Sequence, residues 1–355
     1  MADITVTPTD MAELLEVCVR AGVTAFLKGS PSTAKSSIVQ QVAKRLNLKL
    51  IDIRLSQCEP PDLLGFPRIN PETGKSEYAP MVTFPLENDP LPVDANGVEM
   101  NGWMIFFDEF NGADIGTQKA SYKVILDHYH GDFKMHPNVA KCAAGNLETD
   151  KALVANLSSA MKSRILHFSI TPDIAGFLEF ARVENFSHEI VSFLEFKPSS
   201  YYTFNPDTVD GVDTYACNRT WHFLDSVYKK MPDAATNRLA LPLFSGCLGE
   251  GVAREFLVYL KNFSKLPKIA DILSNPADAK LPKEPSTQYA ITGAIGQNAT
   301  PDNMAKLITY ITRLPLDFQV VTLRNIIKSK KMGGASMVNH PAIQDWMSAH
   351  GDLLF

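Results

Sequence analysis

The stretch Phe26-Leu27-Lys28-Gly29-Ser30-Pro31-Ser32-Thr33-Ala34-Lys35-Ser36-Ser37, followed by the amphipathic run from Ile38 to Leu46, decides how the rest of the chain is read. It has the pattern of a strand, a tight loop and a helix. An apolar strand that empties into small residues and then a helix aims several backbone N–H groups, and the positive end of the helix dipole, at one point. That arrangement suits a polyphosphate. The P-loop pattern Gly-x-x-x-x-Gly-Lys-Ser/Thr is met by Gly29, Lys35 and Ser36, while Ala34 stands where the second glycine belongs and Ser32 where many such loops carry one more. Gly29, Ser30, Ser32, Thr33, Ala34, Lys35, Ser36 and Ser37 are therefore the expected phosphate-binding residues. Lys35 would reach the β- and γ-phosphates and Ser36 would ligate magnesium. The competing reading is a serine-rich helix cap in which Ser32 or Thr33 satisfies N-terminal amides. Alanine before the lysine is tolerable provided that φ there stays negative.

A second signal lies downstream in Trp103-Met104-Ile105-Phe106-Phe107-Asp108-Glu109-Phe110-Asn111. A continuous apolar strand of this kind is buried on both faces, and acids at its C-terminal end sit where ligands bind in an open α/β sheet. Asp108 is expected to hold magnesium, directly or through water, and Glu109 to polarise the attacking water as general base. Two acids capping the next helix is the alternative. Val139 to Asn146 reads as a further short buried strand whose terminal Asn146 could orient the same water.

Around these signals the pattern is α/β, then helical. A helix is expected over 10–20 with Thr9 or Asp10 as N-cap, and a parallel strand over 48–55. Residues 56–100 are punctuated by prolines that forbid a long helix or a central strand, and read either as a decorated surface loop or as a hairpin insertion that touches a substrate or partner. Turns are expected at Pro71-Glu72-Thr73-Gly74 and Asp94-Ala95-Asn96-Gly97. A helix follows over 117–129, with His128 and His130 as surface histidines rather than a metal site. Another helix spans 153–161, then a strand 165–170. Beyond Pro172 the period is helical, over 174–180, 187–196, 219–228, 302–313, 316–329 and 341–349, with a flexible Lys331-Met332-Gly333-Gly334. The expected domains are a nucleotide-binding core 1–171 with its insertion 56–100, a helical lid 172–262 and a C-terminal helical segment 263–355.

Composition narrows the class. A chain of 355 residues with 45% hydrophobic content exceeds the usual single domain and can bury more than one core. A formal charge of −5 gives no global basic signature and argues against a dedicated nucleic-acid coat, though it permits a local basic patch. The 5 cysteines lack any C-x-x-C pairing or zinc spacing and read as reduced core residues. No run approaches the length of a membrane span and the N-terminus has no leader-like pattern, so a cytoplasmic location is expected.

Taken together, the motifs resemble the MoxR-like branch of the AAA+ ATPases over roughly residues 10 to 310. The family's acidic motif, Asp-Glu-x-Asn followed by a helix with a conspicuous Gln, looks like Asp108-Glu109-Phe110-Asn111 with Gln118 and Ile125-Leu126. Pro61-Asp62-Leu63-Leu64-Gly65 is similar to the segment that opens the family's hairpin insertion. The resemblance implies a P-loop AAA+ core with a parallel sheet flanked by helices, a helical lid and C-terminal helices. It implies ATP and Mg2+ as cofactors, Asn146 as sensor 1, Arg164 as an arginine finger acting on a neighbouring subunit, and Arg219 in Asn218-Arg219-Thr220-Trp221 as sensor 2. Phosphoryl transfer needs charge neutralised around the γ-phosphate and one aligned water, which this set could supply. A finger acting in trans implies a homo-oligomer, by family resemblance a hexameric ring, that remodels or matures a protein client, often with a partner bearing a von Willebrand A-type domain. Two other readings stay open: a nucleic-acid-directed motor, and a nucleotide-bound assembly scaffold with weak turnover.

Overall fold

The structure is a computed structural model that describes residues 4–150, 157–231, 233–263, 266–328, 337–350 and 353. The chain divides into two compact units, residues 1–173 and 174–355.

The first unit runs β1 (Thr5–Val6), α1 (Pro8–Arg20), β2 (Ala25–Gly29), α2 (Lys35–Arg45), β3 (Leu48–Arg54), α3 (Pro60–Leu64), β4 (Phe66–Ile69), β5 (Ser76–Ala79), β6 (Gly102–Asp108), α4 (Ile115–Tyr122), β7 (Tyr129–His130), β8 (Phe133–Lys134), β9 (Val139–Gly145), α5 (Ser159–Lys162) and β10 (Leu166–Ile170). Its main sheet has six strands in the order β1-β10-β2-β9-β6-β3, all neighbours parallel. This is the expected α/β core. The parallel pairing explains the unbroken apolar run in β6, which is buried from Gly102 to Phe107 because helices cover both faces. Period-two alternation splits that strand between two cores. Trp103, Ile105 and Phe107 face one that includes Phe26, Val124, Ile125 and Ala143. Met104 and Phe106 face another with Met11 and Leu15 of α1 and Ile38, Val39 and Val42 of α2. Each such fully buried side chain contributes about 1.5–3 kcal/mol.

Several local expectations are corrected. Helix α1 starts earlier, with Thr7 as N-cap accepting from the Asp10 amide and Pro8 in the first turn, because the missing proline N–H costs nothing there. The helix expected over 117–129 ends sooner: α4 gives way to a π-helical turn at Lys123–Asp127, His128 adopts φ +63°, and Tyr129 already belongs to the β7–β8 hairpin. His130 is not a surface residue. It is fully buried, stacked on Phe84 with ring centroids 4.3 Å apart, and its Nε2 accepts from the Met81 amide at 2.9 Å. The proline-rich segment holds a hairpin, β4 against β5, turning through residues 71–74 with Gly74 at φ +65°. The 94–97 turn is closed by a bridge between Val93 and Glu99. Of the helix expected over 153–161, residues 153–156 lie outside the described residues and α5 begins at Ser159.

The second unit is helical: α6 (Ile174–Val183), α7 (His188–Phe196), α8 (Asn218–Tyr228), α9 (Ala240–Leu248), α10 (Glu250–Phe263), α11 (Ile269–Ser274), α12 (Pro285–Asn298), α13 (Met304–Ile311), α14 (Leu316–Lys328) and α15 (Pro341–His350). One apolar cluster is centred on Phe193, Trp221, Phe244 and Phe256, a second on Ile295, Leu307, Tyr310, Ile326 and Trp346. The flexible stretch expected at Lys331 to Gly334 lies outside the described residues.

Candidate functional site

The loop between β2 and α2 closes on itself through short bonds. Thr33, 1% exposed, donates through Oγ1 to the Ser30 carbonyl at 2.9 Å. The Lys35 ammonium donates to the carbonyls of Gly29 at 2.6 Å and Ser30 at 3.0 Å, and reaches Asn146 Oδ1 at 3.4 Å. A side chain at Gly29 would place its Cβ 2.6 Å from Thr33 Oγ1 and 3.0 Å from the Ile170 carbonyl, so only glycine lets the strand pass into this turn. The expectation that φ stays negative before the lysine fails: Ala34 has φ +68° and Ser32 φ +60°. Both positions where the motif would carry glycine adopt the left-handed conformation that glycine tolerates, so the loop bears its strain on L-residues. No serine-rich cap takes its place: Ala34 stands at the N-cap of α2 and no side chain there bonds the first-turn amides.

At the foot of α2, Ser36 Oγ donates to Asp108 Oδ2 at 3.0 Å, which joins the helix to the end of β6. The other oxygen of Asp108 accepts from the Glu109 amide at 2.9 Å. Two hard oxygen donors side by side fit Mg2+, which takes few protein ligands and leaves its remaining positions to water and phosphate. Among the described residues no cluster of three or more His, Cys, Asp or Glu could hold a metal. Asp52, on β3, lies near enough for the Asp108 charge to matter: burial first, and then that charge, push the Asp52 carboxyl above the usual carboxylate range.

Glu109 leaves the strand at φ +53°, and its carboxylate accepts from the Ser56 hydroxyl. Asn111 and Asn146 bind reciprocally: Asn111 Nδ2 donates to the Asn146 carbonyl at 2.8 Å, and the Asn146 amide donates to Asn111 Oδ1 at 3.1 Å. The segments leaving β6 and β9 are thus clamped together just beyond the sheet. Asp150, 6% exposed, accepts from Ser30 Oγ at 2.9 Å and ties the loop after β9 to the loop between β2 and α2.

The structure therefore brings together Gly29, Ser30, Thr33, Lys35, Ser36, Asp108 and Asn146, with Glu109 beside them. Ser37 lies in the first turn of α2, exposed. Arg164 is exposed between α5 and β10 of the first unit, and Arg219 is exposed in the first turn of α8 in the second. Sequence reasoning gave no role to Ser56, Asn111 or Asp150. For Ser56 the link appears only in the structure, where the β3–β6 register sets Arg54 beside Asp108 and brings the residues after each into proximity. For Asp150 none did, because a buried acid in a connecting segment looks like any solvated loop residue.

At the opposite end of the same strands, a cleft of about 480 Å3 is lined by Val23, Thr24, Leu48, His128, Asn138 and Lys141. Lys141 donates to the Val124 carbonyl at 3.2 Å, and burial lowers its pKa to about 8.

Residues 1–70 match a family model described as the MoxR domain in the MoxR-vWA-beta-propeller ternary systems. No curated protein matches the chain. Similar solved structures include a protein from Cytophaga hutchinsonii described as a candidate ATPase, 16% identical over 90% of this chain and 81% of that one, with a TM-score of 0.36. NtrX from Brucella abortus is 11% identical in two crystal structures. One covers 99% of this chain and 69% of that one at a TM-score of 0.33; the other, in complex with ATP, covers 98% and 70% at 0.40. At these scores the likeness says nothing of function.

Proposed function

We propose that this chain, a MoxR-like AAA+ protein by its motifs, its fold and its matched N-terminal segment, binds ATP with Mg2+ and hydrolyses it within a ring of identical subunits that remodels or matures a protein client. The observation that carries this reading is the Ser36–Asp108 hydrogen bond at the foot of a loop that holds the Lys35 ammonium. In the proposal, Ser36 and Asp108 hold the ion, which when bound neutralises charge on the phosphates. Lys35 turns from its carbonyl partners to the phosphate oxygens, Glu109 takes the proton of the attacking water, and Asn146, clamped by Asn111, aligns that water. Arg164 serves a neighbouring subunit and Arg219 acts from the lid.

The division of the second unit into a lid, 172–262, and a further helical segment, 263–355, belongs to the same proposal; two apolar clusters, the first drawing mainly on residues up to 260 with Ala290 of α12 joining it, support it. The matched family's description supports a partner bearing a von Willebrand A-type domain. The β4–β5 hairpin, with exposed Phe66, Ile69 and Tyr78, is the proposed client contact. Its Arg68 is paired with Glu77 at 2.7 Å, which disfavours a nucleic-acid-directed motor. The scaffold reading, with weak turnover, draws on the left-handed Ser32 and Ala34 and on the engaged Glu109. Among the described residues no helix is long and apolar enough to cross a membrane.

Nucleotide binding and phosphate release by Lys35→Ala and Glu109→Gln test the proposal. Lys35→Ala should lose binding, whereas Glu109→Gln should keep binding and lose hydrolysis, because the lysine meets ground-state phosphates and the glutamate acts on water in the transition state. Unchanged turnover in Glu109→Gln would overturn the assignment. Native mass spectrometry, together with activity that rises with protein concentration, tests the ring.

A further inference from the structure

Asp150 is a buried acid held against a loop built for anions. It sits at the end of a short turn, Glu148–Asp150, four residues beyond Asn146. One of its oxygens accepts from Ser30 Oγ at 2.9 Å and the other from the Leu147 amide at 3.3 Å. Both donors are neutral, and among the described residues no cation lies within ion-pair distance of it. Ser30 is also the residue whose carbonyl takes the Lys35 ammonium at 3.0 Å. The carboxylate therefore stands one residue away from the cation that is to receive the phosphates, in surroundings that screen charge poorly.

We propose that Asp150 sets the affinity of the nucleotide site: its negative charge opposes the bound phosphates, weakens the hold on them in proportion to the charge they carry, and so speeds release. The inference rests on the nucleotide reading above. At the effective dielectric of protein sites, a unit charge acting on a phosphate across one intervening residue changes binding on the order of tenfold, less where a counterion intervenes. Removing the charge while keeping the hydrogen bond should thus tighten ATP about three- to tenfold, tighten ADP less, and leave adenosine unchanged. The gradation with phosphate charge separates an electrostatic role from a merely structural one, since a loosened loop would weaken all three ligands.

The test is a fluorescence titration of the full chain with mant-ATP, mant-ADP and mant-adenosine, at low and high salt, for the parent, Asp150→Asn and Ser30→Ala. In Asp150→Asn the oxygen can keep the Leu147 amide while Nδ2 donates to Ser30 Oγ, whose hydroxyl can reverse its role, so thermal unfolding should be nearly unchanged; Asp150→Ser serves if it is not. The expected result is tightening graded by phosphate charge in the Asp150 variants, shrinking with salt, and no such tightening in Ser30→Ala, which keeps the charge. Unchanged or weakened ATP binding in the folded Asp150 variants, or an equal gain for adenosine, overturns the proposal while leaving the nucleotide site standing. A parent chain that binds neither mant-ATP nor mant-ADP overturns the nucleotide reading itself, and this inference with it.

Discussion

The Ser56 hydroxyl donates to the carboxylate of Glu109, so the proposed general base is already engaged by a residue from the loop after the neighbouring strand. A water approaching Glu109 competes with that hydroxyl for the same lone pairs. Ser56→Ala should therefore raise basal turnover, by about two- to fivefold, since a hydrogen bond to a charged group is worth about 1.5–3 kcal/mol and only part of it opposes the reaction. Nucleotide affinity should not move. A drop in phosphate release would mean that Ser56 aims the base rather than detains it.

The positive φ of Ser32 and Ala34 predicts a stabilising pair of substitutions. An L-residue in the left-handed region costs about 1–2 kcal/mol, and glycine recovers most of it against its greater unfolded-state entropy. Ser32→Gly and Ala34→Gly should each raise the unfolding free energy in urea by about 0.5–1 kcal/mol. Destabilisation by Ala34→Gly would contradict the described loop.

Gly145 predicts the reverse. A Cβ there would lie 2.3 Å from Asn111 Oδ1 and 2.9 Å from Phe26 Cζ, and neither can retreat without breaking the Asn111–Asn146 pair or the aromatic core. Gly145→Ala should cost about 1–3 kcal/mol, the usual range for overpacking, and should lower turnover more than nucleotide affinity. Calorimetry with a steady-state assay checks both arms.

Burial holds the His130 imidazole below its ordinary pKa, so the folded state keeps it neutral where the unfolded chain would protonate it. The stability this contributes is present above about pH 6.5 and is lost as the pH falls through the lower folded value. Urea midpoints should drop below pH 6.5, and the drop should shrink in His130→Gln, whose amide oxygen can still accept from Met81. An unchanged slope would assign acid sensitivity elsewhere.

Burial lowers the pKa of Lys141 as it does that of His130, but Lys141 still carries its charge at neutral pH. With its pKa lowered to about 8, it is charged and partly desolvated at neutral pH, and the cost fades as it deprotonates. Lys141→Met should be more stable than the parent at pH 7, with the advantage declining toward pH 10. Thermal unfolding across that range decides it.

The chain's α/β core was legible because a parallel sheet writes itself as apolar runs: Trp103 to Phe107 is unbroken, and Val139 to Ala144 is interrupted only by Lys141. The loop motif was legible from Gly29, Lys35 and Ser36 despite its missing glycines, because backbone form is set by the flanking strand and helix as much as by the residues inside. What sequence could not give was pairing across the loops. Asn111 and Asn146 are 35 positions apart, and only the adjacency of β6 and β9 makes them partners. The histidines misled for a related reason, since His130 is buried by a hairpin whose helical lead-in ends at a π turn that periodicity does not reveal.

The strand order has a consequence for biosynthesis. The strand β2, which leads into the proposed nucleotide loop, lies between β9 and β10, the last two strands of its unit, so neither edge of β2 can be paired until nearly the whole unit has been made. A ribosome-bound chain ending before Leu166 would carry the loop motif on a strand with an open edge, and such edges invite pairing with other chains. Nucleotide competence should thus arrive late and all at once. Nascent chains stalled before Leu166 would need shelter from neighbours, and those released past Ile170 would not.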